Sequence, residues 1–164
     1  MSIGTSLKKT FRAIALGWLA LSQQAQAIDL KQCATPQPEL DPTYTPGQVW
    51  SYKTRPGEAS STVTVLRVER TPQLGVIIHV RVDGVRFKNC TGGPSPTQIE
   101  HAPLTKSAMD KSVSRLLKVL AKLPAFEEGY DDWLAHCGGA YTVTLAEMVE
   151  ADDATFNAGL GCKA

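Results

Sequence analysis

Between about residues 48 and 105 the apolar side chains of this chain mainly recur at every second position, and beyond that stretch at every third or fourth. A period of two belongs to a strand and a period of about 3.6 to a helix. Strands first and helices after predicts an α+β fold, an antiparallel curved sheet in the N-terminal half with C-terminal helices packed on one face. Gln48 to Arg55 alternates, Arg55-Pro56-Gly57-Glu58 is a turn, and residues 62–70 are β-branched and strand-like. In that run the apolar parity shifts between Val65 and Leu66, which predicts a bulge or twist.

Val76, Ile78, Val80 and Val82 then alternate with Ile77, His79, Arg81 and Asp83, and Asp83-Gly84 precedes Val85-Arg86-Phe87-Lys88. Asp-Gly between alternating runs predicts a two-residue hairpin, because both central residues need positive φ. Its register sets Val82 against Val85 and Val80 against Phe87 on the buried face, with Arg81 against Arg86 and His79 against Lys88 on the other. Thr97 to His101 is a short further strand, and Tyr141 to Val143 another.

Met109, Val113, Leu116, Leu117, Leu120 and Leu123 fit one face of a helix over 106–123, stopped by Pro124. Lys111, Arg115, Lys118 and Lys122 form a second stripe, which on a helix is its wet face. A short helix carries Tyr130, Trp133, Leu134 and Cys137 and ends at Gly138-Gly139. Thr144-Leu145-Ala146-Glu147 is a capping box opening a last helix towards Phe156.

The N-terminus predicts a compartment. Lys8, Lys9 and Arg12 precede the apolar run 13–21 and the small-x-small site Ala25-Gln26-Ala27. That is the pattern of a cleavable signal peptide over 1–27, and the run is too short for a membrane anchor. An extended leader with four prolines over 28–47 and a single domain over 48–164 follow. Lys31 and Gln32 before Cys33 do not fit a lipidation signal. The expectation is an exported, periplasmic protein with no membrane insertion after cleavage.

Without the signal the chain carries 14 basic and 16 acidic residues, so no strong attraction to nucleic acid follows. The charge is segregated, +5 over 28–122 and −7 over 123–164. All four cysteines, Cys33, Cys90, Cys137 and Cys162, follow the signal, and in an exported chain an even count reads as two disulfides. Three pairings are open. Cys33–Cys90 with Cys137–Cys162 is preferred, because each bridge would pin one loose end. Zinc, with His101 or His136 added, lacks the spacing of a metal site.

No serine elbow, phosphate loop, nucleotide fingerprint or metal motif is present, so no catalytic residue, cofactor or metal is assigned. The candidate binding surface is the basic hairpin face of His79, Arg81, Arg86 and Lys88, where facing arginines call for an anionic ligand or an acid such as Glu69 from a neighbouring strand, unless the side chains simply fan apart into solvent. The acidic segment beyond Leu123 is the other candidate contact. Glu100-His101 could do acid–base work, but neighbours on a strand point to opposite faces and would not share a site. Trp50, Tyr52, Tyr130 and Trp133 read as packing between sheet and helix.

Trp50-Ser-Tyr-Lys-Thr-Arg-Pro-Gly-Glu58, Leu66-Arg-Val-Glu69 and Ile99-Glu-His-Ala-Pro-Leu104 resemble a family of small uncharacterised bacterial proteins over about residues 47–157. The resemblance implies no activity, and the leader and cysteines depart from a cytoplasmic pattern. Small size, export, disulfides and segregated charge together suggest a binding protein without catalysis, most specifically an inhibitor or immunity protein for a periplasmic toxin or hydrolase. The alternatives are a small enzyme using His101 or His79 and an accessory subunit of an envelope complex.

Overall fold

The computed structural model describes residues 33–162. The expected signal peptide and the first leader residues, through residue 32, lie outside the described residues. The fold is α+β, with an open antiparallel sheet of six strands followed mainly by helices. Strand β3 (Thr62–Thr71) lies at its centre. On one side β3 pairs with β4 (Gly75–Asp83), and β4 with β5 (Gln98–Thr105). On the other side β3 shares its length between β2 (Gln48–Tyr52) at one end and the two-residue β1 (Gln37–Pro38) at the other. The bulge expected near Leu66 is present: the register with β4 shifts between Val65 and Arg67.

The core lies on one face. Val63, Val65, Val68, Ile78, Val80, Val82, Ala102 and Leu104 pack there with helix α1 (Lys106–Ser112) and helix α3 (Leu145–Gly159). Ala108, Met109, Leu145, Met148 and Val149 are the helices' fully buried apolar contributions. The capping box at Thr144 and Glu147 is formed, with both reciprocal hydrogen bonds in place. The short helix α2 (Glu127–Ala135) lies instead over side chains of the opposite face, those of His79 and His101.

Four expectations change. The helix over 106–123 stops at Ser112, and Val113–Val119 is strand β6, paired with β2. Val113, Leu116, Leu117 and Leu120 satisfy helical spacing, but β2 has an open edge, and pairing satisfies its backbone groups. The Asp83-Gly84 hairpin does not form: β4 ends at Asp83, and its partner is β5, with Val82 opposite Ile99 and Asp83 opposite Gln98. Gly84 takes φ +80°, and both Gly84 and Val85 donate to the Thr97 carbonyl, closing a long loop in place of a tight turn.

The cause lies elsewhere in the chain. The Arg86 N–H donates to Glu58 at 2.6 Å and the Lys88 N–H to Asp153 at 2.9 Å. Both carboxylates are buried and bound to Arg55, which also reaches Glu150. This ion network takes the donors that a second hairpin strand would have offered to β4. Tyr141 makes only an isolated bridge to Leu104 in place of the expected strand.

The fourth change is the disulfide pairing. Two bridges are present, but they join Cys33 to Cys137 and Cys90 to Cys162, with Cα separations of 5.1 and 6.0 Å. The leader runs beside the far end of β3, where Glu39 binds Arg70, and this brings Cys33 to the end of α2. Asn157 on α3 donates to the Lys88 carbonyl, which brings the loop at Cys90 to the C-terminal segment.

Candidate functional site

The four residues of the expected basic face do not come together. His79 is fully buried. Arg81 is held by Asp83 on its own strand and by Gln98 on the neighbouring β5. Arg86 and Lys88 lie on the loop, tied through their backbones to Glu58 and Asp153. The period-two reading put His79 on the correct face of β4, but that face is covered by α2.

His79 sits instead in a buried polar cluster. Its partner across β3 is Arg67, and Glu69 lies two residues along on the same face. Glu69 is fully buried and accepts from Arg67 and from the Tyr130 hydroxyl at 2.9 and 3.1 Å. The Arg67 guanidinium lies 4.7 Å from the centre of the Tyr130 ring. His79 Nδ1 is 2.9 Å from His101 Nε2, and its ring meets Trp133 edge-on at 4.7 Å. The Trp133 indole is anchored by donating to the Gly139 carbonyl at 2.8 Å.

A bulge in β5 aims His101. Val80 pairs with Ala102 and Val82 with Ile99, so Glu100 and His101 together face the single residue Arg81. This breaks the alternation that would have sent them to opposite faces. Both line one cleft, which Ala125, Phe126, Glu127, Glu128, Gly129 and Asp132 complete. Gly129 is required there: a Cβ on it would stand 2.8 Å from that of His101.

Tautomers follow from these contacts. His79 Nε2 faces Glu69 Oε2 at 3.5 Å, too far for a hydrogen bond but close enough for the carboxylate to favour a proton on that nitrogen. His79 Nδ1 then accepts from His101 Nε2–H, and the His101 Nδ1 lone pair is left on the side of Gly129 and the cleft. Burial, with the charges of His101 and Arg67 added, pushes His79 down to about 3, and burial also lowers His101. Both rings are therefore neutral at pH 7. Burial and the bond to Glu69 push the Tyr130 hydroxyl up to about 12, so it remains a donor.

The cleft mouth is acidic. Glu100, Glu127, Glu128 and Asp132 are exposed, and among the described residues no Lys or Arg lines it. Backbone N–H groups at the start of α2 hold Glu127 below the usual carboxylate range. The arrangement can accept a cationic donor group: four carboxyl groups surround the entrance and a neutral imidazole nitrogen waits inside.

The cluster is not a cheap way to build a core. His79 Nε2 is the buried side-chain nitrogen or oxygen left without a hydrogen bond among the described residues. Such an orphan costs roughly 1–3 kcal/mol. Sequence reasoning missed the cluster because it assigned α2 to packing and the face of His79 to solvent. A signal was available in Phe126, Tyr130 and Trp133, whose spacing gives α2 an aromatic face that needs a surface to cover. Among the described residues no three His, Cys, Asp or Glu side chains are placed to share a metal ion, and no helix is long and apolar enough to cross a membrane. No protein-family model, no curated protein and no solved structure matches the chain.

Proposed function

We propose that this is an exported, periplasmic binding protein without catalysis, which receives a cationic side chain of a basic protein partner in the cleft over His101. Its most specific form is an inhibitor or immunity protein that neutralises a basic toxin or hydrolase. The observation that carries the reading is the cleft itself, walled by Glu100, Glu127, Glu128 and Asp132 around an imidazole acceptor. Two disulfides suit an oxidising compartment. The contact surface moves from the basic hairpin face to the acidic segment, and complementary charge steers encounter with a partner of opposite sign.

The test is titration with lysine-rich and arginine-rich peptides, followed through Trp133 fluorescence. Saturable, salt-sensitive binding is expected, weakened at least about tenfold, or 1.4 kcal/mol, by Glu127→Lys with Glu128→Lys. No binding, or binding indifferent to the double reversal, rejects the cleft as the contact.

A second reading is favoured by the His79–His101 hydrogen bond at 2.9 Å. A carboxylate, a buried histidine and a cleft-facing histidine in line form the framework of a general base, with His79 and Glu69 positioning His101. This enzyme reading requires turnover of a cationic substrate that His101→Gln abolishes at unchanged stability. It also requires nitrogen NMR to find the His101 proton on Nε2, and a proton on Nδ1 refutes it.

A further inference from the structure

Strand β6 (Val113–Val119) differs from every other long strand of the sheet. Among the described residues it ends the strand order, pairs with β2 alone, and is exposed at every position after Val113. Leu116, Leu117 and Val119 are 41, 42 and 62 % exposed. The opposite edge is treated differently: Tyr141 crosses β5, donating to the Pro103 carbonyl and accepting from the Thr105 N–H. An open edge presents a row of unpaired backbone donors and acceptors.

The side chains along this edge are of one sign. From Lys111 to Lys122 the chain holds Lys111, Arg115, Lys118 and Lys122 and no acid. None of the four makes an ion pair among the described residues. Pairing with β2 sets Leu116 on the face of Trp50, and Arg115 and Lys118 on the face of Ser51 and Val49.

We infer that β6 is a docking edge for an extended acidic segment of a protein partner, which adds to the sheet as a further strand. The occupant follows from the charges. Basic side chains on an edge ordinarily keep other edges away, because pairing would strip water from unpaired cations. An acidic strand reverses that term, since opposite charges facing each other across a strand pair are favourable. A second copy is disfavoured by the same rule. Antiparallel self-pairing centred on Leu116 and Leu117 would set Arg115 against the Lys118 of the other copy, twice. The segment that fits alternates acidic and apolar residues, its acids meeting Arg115 and Lys118 and its apolar side chains meeting Leu116. Backbone hydrogen bonds would give affinity, and the alternation would give register. This edge is separate from the acidic cleft and does not depend on it.

The probe is a blocked peptide of alternating Glu and Val, added to the full oxidised protein while amide exchange is followed over residues 113–119. Exchange there should slow by at least about tenfold, equivalent to 1.4 kcal/mol. The same peptide N-methylated at alternate residues keeps its charge but cannot pair along its backbone, and it should give no protection. Arg115→Glu with Lys118→Glu, confirmed folded by circular dichroism, should lose the acidic peptide and gain its Lys–Val counterpart. The inference is overturned if the first peptide gives no protection or if the N-methylated peptide protects equally. Sedimentation showing β6-dependent dimers also overturns it, because the occupant is then a second copy.

Discussion

Replacing Arg55 with Met should destabilise the protein by about 3–5 kcal/mol, the usual result of removing one partner from a buried charge network. The side chain of Arg55 is 10 % exposed and bonds Glu58 at 2.6 Å and Asp153 at 2.9 Å, whose side chains are 2 and 3 % exposed. Met keeps the length of the stem and leaves both carboxylates buried without their cation. The bond to Glu150 adds little, because that side chain is 61 % exposed. The Arg86 and Lys88 N–H groups still donate to the two carboxylates, which keeps the loss from growing further. Urea denaturation of the oxidised protein measures it, as a fall in midpoint at unchanged slope. Adding Glu58→Gln and Asp153→Asn to Arg55→Met should recover most of the loss, because the amides accept the same backbone bonds without charge. A loss below about 1 kcal/mol, the scale of a surface pair, would refute the reasoning. So would a triple variant no more stable than the single one.

Two further outcomes are expected. Between pH 6.5 and about 3 the unfolded chain binds a proton on His79 that the folded chain refuses. Stability should therefore be fully retained above pH 6.5 and fall on acidification by up to about 1.4 kcal/mol per pH unit for that group. Urea midpoints near pH 7, 6 and 5 should show the fall, His79→Gln should flatten it, and a flat wild-type profile contradicts the burial argument. Non-reducing peptide mapping should join Cys33 to Cys137 and Cys90 to Cys162. Replacing Cys90 and Cys162 by Ala should cost about 4 kcal/mol for the loop closed between them, and a map joining Cys33 to Cys90 would refute the pairing.

What was legible in the sequence is what local pattern controls. Alternation marked β3 and β4, and Thr144 with Glu147 marked the start of α3, because a strand face and a helix cap are decided within a few residues. What was not legible depends on partners far away in the chain. Asp83-Gly84 has hairpin chemistry, yet Glu58 and Asp153 claim the backbone of the next segment. Val113 to Val119 fits either period, and the edge of β2 decides it. The candidate site combined both cases: Glu69, His79 and His101 lie on readable strands, but the cover of α2 and the bulge before Ala102 turn an expected wet face into a buried histidine bonded to a cleft-facing one.

The two disulfides interleave in sequence, first cysteine with third and second with fourth. If the chain is exported as proposed, delivery N-terminus first through a translocation pore would expose Cys33 and Cys90 before Cys137 arrives. An oxidase acting on whichever thiols emerge together would join the first two, and that bond has to be exchanged before the native pair can close. Neither native bridge joins cysteines that are neighbours in chain order, so a first bond made between neighbours would call for an isomerase as well as an oxidant. On that route the yield of folded protein should follow the capacity to reshuffle disulfides rather than the capacity to form them.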